Sequence, residues 1–174
     1  MASPDLEKIV DRLNNLQKAG IIGLHAIGGA FAFIFYAEPI NTRDLDVFAE
    51  LPTSGGLISL EKLYEDLRRT GCEVEGDAVL IDGFPVQILP APTPLVEEAV
   101  VKAITVPIGA GQTRVFSAEH AVAIALQTNR PTDRLKIEHL LESGRVPLDE
   151  ARLTDILQRH GLEDRWVRFL AARQ

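Results

Sequence analysis

The sequence predicts an α+β fold in which a mixed β-sheet is flanked by helices and followed by a helical C-terminal region. Up to residue 116, short strand-like runs alternate with segments whose apolar residues recur at helical spacing. From residue 117 onward, only helical spacing is present. We therefore expect an α/β domain over residues 1–116 and a helical region over residues 117–174 that packs on it.

The start of the chain predicts two helices that alternate with two strands. The expected elements are a helix that follows Ser3-Pro4 and ends at Gly20, a strand at 21–29, a helix at 30–37 and a strand at 42–51. The aromatic residues of "AFAFIFYA" (30–37) also suit a strand. We expect a buried helix there, because a helix explains both the glycines before this segment and Pro39 after it.

The rest of the chain predicts further strands, then helices alone. The expected elements are a loop at 53–56, a helix capped by Ser59 and closed by Gly71, strands at 72–75, 78–81, 84–91, 104–109 and 113–116, and helices at 94–102, 117–129, 131–142, 149–160 and 163–172. "DG" at 82–83 favours a tight hairpin turn between two of these strands. "NRP", "SGRVP" and "HG" separate the four C-terminal helices.

Composition and charge exclude several classes of protein. A net charge of −7 gives no electrostatic basis for tight, unspecific nucleic-acid binding, and it leaves open a local basic face on the C-terminal helices. The single cysteine, Cys72, excludes an intramolecular disulfide and a cysteine-based zinc site, and we expect it to be a core residue. The longest apolar stretch, 26–37, is too short to span a membrane, and "MASPDLEKIV" lacks the features of a secretory signal. We expect a cytoplasmic protein.

Two aspartates stand one residue apart in a segment that otherwise has strand composition. Asp is depleted in strands, yet Asp44 and Asp46 in "DLDVF" share one face by the period of two. Adjacent carboxylates repel each other unless one is protonated or a cation lies between them. Mg²⁺ (or Mn²⁺) prefers such oxygen ligands. The alternative is a structural role in which Asp44 pairs with Arg43 or Arg68.

The Gly28-Gly29 pair precedes the aspartates and marks the start of the expected helix. Backbone N–H groups at a glycine turn and at a helix start favour phosphate binding. A phosphate site next to a metal site is what phosphoryl or nucleotidyl transfer requires, with a nucleoside triphosphate as substrate. We therefore expect Asp44 and Asp46 to be the metal-binding and catalytic residues.

Residues 27–48, "IGGAFAFIFYAEPINTRDLDVF", resemble the nucleotidyltransferase superfamily related to DNA polymerase beta. That pattern is Gly-Gly or Gly-Ser at a helix start, then Asp-x-Asp on the next strand. The segment is most similar to AbiEii-type and related minimal nucleotidyltransferases, and 117–157 resembles their helical region. The resemblance implies a nucleotidyltransferase-like fold and an Mg²⁺-bound nucleotide. The expected nucleotide-binding residues are Gly28, Gly29, Thr42, Arg43, Gln87 and Arg130.

The sequence also departs from that family pattern. Gln87 stands where a third carboxylate is expected, and a neutral amide cannot act as a general base. Ala125 and Lys136 replace a lysine and an acidic residue in the helical region, although Arg130 and Asp133 match. The resemblance therefore implies either transfer of a nucleotide to an RNA, protein or small-molecule hydroxyl, or a catalytically degenerate module. Such a module binds nucleotide or a partner protein, for instance as one half of a toxin–antitoxin pair.

Overall fold

The computed structural model describes residues 5–54, 57–58, 60–143 and 145–173. Helices and strands alternate as far as the ninth strand, and only helices follow. The helices are α1 (Leu6–Lys18), α2 (Gly29–Ile34), α3 (Leu60–Arg69), α4 (Pro94–Val101), α5 (Ala118–Thr128), α6 (Pro131–Ser143), α7 (Glu150–Arg159) and α8 (Glu163–Ala171). The strands are β1 (His25–Ile27), β2 (Leu45–Ala49), β3 (Thr53–Ser54), β4 (Leu57–Ile58), β5 (Glu73–Glu75), β6 (Ala78–Ile81), β7 (Phe84–Pro90), β8 (Ile104–Ile108) and β9 (Gly111–Val115).

Seven strands form one mixed sheet in the order β5-β6-β7-β2-β1-β9-β8. Strand β2 lies at its centre, antiparallel to β1 and parallel to β7. A second parallel pair joins β1 to β9, and the remaining pairs of this sheet are antiparallel. The predicted α+β class with a mixed sheet is confirmed.

Local sequence signals account for several element boundaries. In the β6–β7 hairpin, Asp82 and Gly83 both have positive φ, 52° and 75°, as the predicted Asp-Gly turn requires. Helix α1 begins after Asp5, whose side chain accepts a hydrogen bond from the backbone N–H of Lys8. The helix-start signals Ser3-Pro4 and Ser59 lie outside the described residues.

Three segments differ from the expectation. The first strand covers only His25–Ile27, and β2 begins at Leu45, so Asp44 lies just before the strand. Both strands are short because their extent follows the pairing with neighbouring strands: β2 pairs with β7 from Leu45 to Ala49. Within the expected loop, Thr53–Ser54 pairs with Leu57–Ile58, and the glycines between them lie outside the described residues.

Helix α5 is the centre of the helical region. It packs against α2, α4, α6, α7 and α8, and eight of its residues are buried, as expected for a helix surrounded on all sides. The hydrophobic core runs from the sheet into these helices and includes Cys72. The division at residues 116 and 117 stays a prediction. None of the described helices combines the length and hydrophobicity needed to cross a bilayer.

Candidate active site

Asp46 lies at the start of the central strand, and Asp44 lies just before it. Along β2, Leu45, Val47 and Ala49 are buried, whereas the alternate residues Asp46 and Phe48 are half-buried. Asp44 precedes the strand and is also half-buried. Neither carboxylate forms an ion pair with a described residue, so the alternative pairing of Asp44 with Arg43 or Arg68 is not observed there.

The Gly28-Gly29 pair is required because side chains from the sheet occupy the space next to it. A Cβ on Gly28 would lie 2.6 Å from Phe116 and 2.7 Å from Phe48, two rings that stack at 5.3 Å. A Cβ on Gly29 would lie 1.8 Å from Oδ2 of Asp46, and φ at Gly29 is +55°. The N–H of Gly28 also donates to the backbone carbonyl of Asp46. The start of α2 and the Asp46 carboxylate are therefore in direct contact.

Asp44 is held by polar neighbours. Thr42 Oγ1 donates to the backbone carbonyl of Asp44 at 3.1 Å and lies 3.4 Å from its Oδ1. Gln87 Nε2 donates to Oδ2 of Asp44 at 3.4 Å. Gln87 reaches this position because β7 runs parallel to β2, with Gln87 directly beside Asp46. The expected third-carboxylate position is thus next to both aspartates and is occupied by a neutral amide.

The environment of Asp46 disfavours its charged form. Burial raises the pKa of Asp46 above its usual value of 3.8, and the negative charge of Asp44 raises it further. Lys136 and Arg130 lower the pKa of Asp46, although they do not outweigh these two effects. An additional cation between the aspartates would stabilise the charged form.

Two cations come from the start of α6: Arg130 just before the helix and Lys136 within it. Asp133 is buried, and its carboxylate accepts hydrogen bonds from Thr128 Oγ1 at 2.7 Å and from Lys136 Nζ at 3.0 Å. Arg130 Nε lies 3.2 Å from the same carboxylate. Arg130 and Asp133 thus form a local ion pair.

Two adjoining cavities meet at Asp46. The first is a polar cleft of about 670 Å³, and its lining includes Thr42, Arg43, Asp44, Asp46, Gln87, Arg130 and Lys136. The second is a pocket of about 310 Å³ between the sheet and the C-terminal helices, and its lining includes Gly29, Phe33, Phe48, Phe116 and Ile124. Both cavities share Asp46, Phe48, Leu89, Arg130 and Lys136. A polar compartment therefore opens beside an aromatic one.

The polar cleft is lined by Thr42, Arg43, Asp44, Asp46, Gln87 and Arg130, whereas Gly29 lines only the aromatic pocket and Gly28 lines neither cavity. The roles of these predicted site residues stay predictions. Sequence reasoning treated Lys136 only as a departure from a family pattern and missed it as a cation in the cleft. Its spacing of three residues from Asp133 on a helix placed both on one face, which is the signal that identifies it. The contact of Phe48 with Phe116 had no sequence signal, because the two rings come from distant parts of the chain.

The carboxylate oxygens in the cleft suit a small, hard cation, although they come from only two of the described side chains. Asp44 and Asp46 present carboxylate oxygens, and Mg²⁺ takes one or two protein carboxylates when water and phosphates complete its shell. Within the described ranges, no group of three His, Cys, Asp or Glu side chains is arranged to hold a metal. The carboxylate of Asp82, in the β6–β7 turn, pairs with Lys8 of α1 at 3.1 Å and does not line the cleft.

Comparison with known proteins supports the fold. No protein-family model and no curated protein matches the sequence. A crystal structure of an antigenic nucleotidyltransferase-like protein from Paracoccidioides brasiliensis is similar, with a TM-score of 0.60 and 17% identity over 91% of this chain and 88% of that one. A solution structure of the antibiotic-resistance factor ANT(2'')-Ia has a TM-score of 0.48 and 16% identity, covering 98% and 93% of the two chains. A crystal structure of ANT(2'')-Ia with adenylyl-2''-tobramycin has a TM-score of 0.43 and 15% identity, covering 95% of each chain. The mixed sheet and the similarity to the first of these structures show that this chain has a nucleotidyltransferase-like fold.

Proposed function

We propose that the polar cleft binds a complex of Mg²⁺ (or Mn²⁺) with a nucleoside triphosphate. The observation that carries this proposal is the pair Asp44 and Asp46, which lack an ion pair among the described residues and line the same cleft as Arg130 and Lys136. Two unneutralised carboxylates opposite two cations favour a ligand that contains both a metal ion and an anionic chain.

Asp44 and Asp46 would hold the metal, which supplies charge neutralisation and alignment of the phosphates when it is bound. The chain's own residues contribute orientation. Thr42 and Gln87 hold the Asp44 carboxylate through the contacts described above. Arg43 and Arg130 line the cleft and provide positive charge for phosphate oxygens. The Gly28-Gly29 turn keeps the wall beside Asp46 free of side chains.

The reaction that this arrangement supports best is attack of an acceptor hydroxyl on the α-phosphorus of the triphosphate, which transfers the nucleotidyl group and releases pyrophosphate. The reaction also benefits from a group that removes the proton of the attacking hydroxyl, and loss of such a base costs roughly 10² to 10⁴ in rate. Gln87 cannot supply that function. We therefore expect slow transfer to an RNA, a protein or a small hydroxylated molecule.

Gln87 also favours a second candidate function, nucleotide binding without catalysis. Because Gln87 stands where the family resemblance implies an acidic side chain, the protein would bind the metal–nucleotide complex without turnover. In that case the bound state, or a protein partner such as the other half of a toxin–antitoxin pair, would carry the function. Radiolabelled transfer assays on RNA and protein acceptors separate the two candidates, since only the first produces labelled acceptor.

Calorimetric titration tests the binding itself. Each nucleoside triphosphate is titrated with Mg²⁺, with Mn²⁺ and with a chelator into the wild type and the Asp46→Asn and Asp82→Asn variants. We expect metal-dependent binding that Asp46→Asn loses. Asp82→Asn is the matched control, because it removes a carboxylate that pairs with Lys8 outside the cleft, and it should bind as the wild type does. Absence of binding for every nucleotide would refute the proposal.

A further inference from the structure

A second polar cavity, the α1 hollow, lies on the face of the sheet opposite to Asp46. In β1, His25 pairs with Ala49 on the buried face of β2, whereas Asp46 and Phe48 occupy the other face. Helix α1 packs against β8 and β9 beside His25, and the hollow lies between them. Its volume is about 520 Å³. Among the described residues, none lines both this hollow and the polar cleft or the aromatic pocket.

Two buried polar side chains line the α1 hollow without a hydrogen-bond partner. His25 of β1 and Thr113 of β9 share one face of adjacent parallel strands, two residues before the Ile27–Val115 pair, and each is 2% exposed. Within the described ranges, neither His25 Nδ1 nor Thr113 Oγ1 has a partner. Buried polar side chains are hydrogen-bonded in the large majority of cases. Two neighbouring exceptions at one cavity therefore indicate a bound polar molecule.

These two side chains offer both donors and acceptors. Burial lowers the pKa of His25, and the charge of Arg114 lowers it further, which together outweigh the hydrogen bond at Gly23. The ring is therefore neutral at pH 7, with one N–H donor and one acceptor nitrogen. The Thr113 hydroxyl also donates and accepts. Arg114 is held beside them, because its N–H groups donate to the backbone carbonyls of His25 and Val101 at 3.3 and 2.9 Å.

The walls of the α1 hollow are polar as well. Helix α1 and strand β8 contribute Asp11, Asn14, Asn15, Gln17, Lys18 and Thr105. No aliphatic or aromatic side chain belongs to the lining in the described part of the chain. One carboxylate and two cations, those of Lys18 and Arg114, leave the lining close to neutral. The lining therefore suits neither an apolar ligand nor a strongly charged one.

We propose that the α1 hollow binds a neutral, polyhydroxylated small molecule, a sugar, through His25, Thr113 and the side-chain amides of α1. A sugar suits this lining because each of its hydroxyls both donates and accepts a hydrogen bond, as the neutral imidazole, the threonine hydroxyl and the amides do in turn. The volume lies within the range of small-molecule pockets, roughly 300 to 1,000 Å³. The site lies across the sheet from the polar cleft and is independent of the proposed nucleotide binding.

A competing interpretation is that ordered water alone pairs with His25 and Thr113. Buried water commonly satisfies such groups, and one water molecule occupies about 30 Å³ in the liquid. The α1 hollow is far larger than one such molecule, at about 520 Å³, and amides line its wall as well as its buried side. These features favour a ligand with several hydroxyl groups over a single water molecule.

Thr113→Val, Asn15→Ala and Thr154→Val test the proposal. Thr113→Val removes the hydroxyl at nearly unchanged shape, and Asn15→Ala removes an amide at an exposed position on α1, where the fold does not depend on it. Thr154→Val, at an exposed position on α7, is the matched control. Ligand-observed NMR titrations measure binding of ribose, glucose, galactose, mannose, maltose and sucrose. The readout is saturable binding, because sugars at high concentration stabilise proteins without a site.

We expect the wild type to bind at least one of these sugars saturably. Thr113→Val should weaken this binding about tenfold and Asn15→Ala about threefold, the effect of one lost hydrogen bond in each case. Thr154→Val should match the wild type. Absence of saturable binding for every sugar, or equal affinity in Thr113→Val and the wild type, would overturn the proposal.

Thermal unfolding without ligand separates the sugar from the competing interpretation. Thr113→Val should unfold at a higher temperature than the wild type, because it removes a buried hydroxyl that has no partner until the sugar binds. A lower unfolding temperature together with absent sugar binding would establish ordered water as the partner and overturn the proposal. Metal-dependent nucleotide binding should be the same in Thr113→Val and the wild type, so the proposed function fails or holds separately.

Discussion

Asp46 carries a carboxylate whose charged form is disfavoured by burial and by the neighbouring charge of Asp44. Its pKa in the folded protein is above 3.8, so the folded state holds this proton more tightly than the unfolded chain does. The stabilising contribution of the protonated Asp46 carboxyl is therefore present below pH 3.8 and is lost as the pH rises through the raised pKa of Asp46. At neutral pH and without a metal, the charge of Asp46 destabilises the fold.

Asp46→Asn should consequently stabilise the metal-free protein while it removes the binding site. We expect the free energy of unfolding at pH 7 to rise by about 1 kcal/mol in the variant. Saturating Mg²⁺ at a hundredfold excess over Kd should stabilise the wild type by about 2.7 kcal/mol and leave the variant unchanged. Urea unfolding with and without Mg²⁺ measures both effects. A less stable variant in metal-free buffer would contradict this account of Asp46.

Gln87 is the second residue whose replacement tests the site. Gln87→Asp would place a third carboxylate beside Asp44 and Asp46, which should tighten Mg²⁺ binding about tenfold and lower stability in a chelator. If transfer is slow for lack of a base, the variant should accelerate it by roughly 10² to 10⁴. Calorimetry and radiolabelled transfer provide the measurements. Gln112→Asp, at an exposed position on β9, is the control and should change neither the affinity for Mg²⁺ nor the rate of transfer.

At the scale of elements, the turn that begins α2 is built around the carboxylate on β2. Gly29→Ala combines two effects: a side chain at a φ of +55° and a Cβ 1.8 Å from Oδ2 of Asp46. Gly71→Ala isolates the first effect, because φ there is +83° and nothing lies within 4 Å of the added Cβ. Comparison of the two variants therefore separates backbone strain from the clash with the site.

We expect Gly71→Ala to lower the free energy of unfolding by about 1 to 2 kcal/mol and to bind nucleotide as the wild type does. Gly29→Ala should cost more stability and also lose metal–nucleotide affinity, since Asp46 must move. Urea unfolding gives the stabilities, and calorimetric titration gives the affinities. Equal stability losses with unchanged affinity in both variants would show that the approach of Gly29 to Asp46 has no role in binding.

At the scale of the whole molecule, Glu98 joins α4 to the helices that cover the sheet. Its carboxylate lies 3.3 Å from His120 Nε2 of α5, 2.8 Å from His160 Nε2 after α7, and in contact with Arg159. The hydrogen bond from Arg159, supported by those from His160, Lys102 and His120, holds the pKa of Glu98 well below its usual value of 4.5. The contribution of the charged Glu98 carboxylate to stability is fully present above pH 4.5 and is lost as the pH falls through the lowered pKa of Glu98.

Glu98→Gln should therefore destabilise the fold at pH 7 by about 1 to 3 kcal/mol, the size of a hydrogen bond to a charged group. The difference from the wild type should shrink as the pH falls below 4.5, because the Glu98 carboxyl of the unfolded wild-type chain then binds a proton that the folded state does not bind until the lowered pKa is reached. Unfolding by urea across a pH series measures this difference. Glu97→Gln, an exposed neighbour on α4, is the control. A difference that does not change with pH would contradict the role assigned to Glu98.

Much of the fold was predictable from the sequence because the signals are local. The Asp-Gly turn at 82–83 needs two adjacent residues with positive φ, and the four C-terminal helices begin and end close to their glycine, proline and capping signals. The shared face of Asp46 and Phe48 follows from the period of two in any strand. Strand lengths were less predictable, because pairing partners decide where a strand ends.

The sequence by itself determined that two carboxylates stand one residue apart, that glycines precede them and that helices follow the sheet, since these features depend on residues close together in the chain. Only the tertiary structure decided what surrounds the carboxylates. Parallel pairing of β2 with β7 brings Gln87 beside Asp46, and packing of α6 brings Lys136 to the same cleft. Such contacts join residues some 40 to 90 positions apart in the numbering, so no local propensity encodes them.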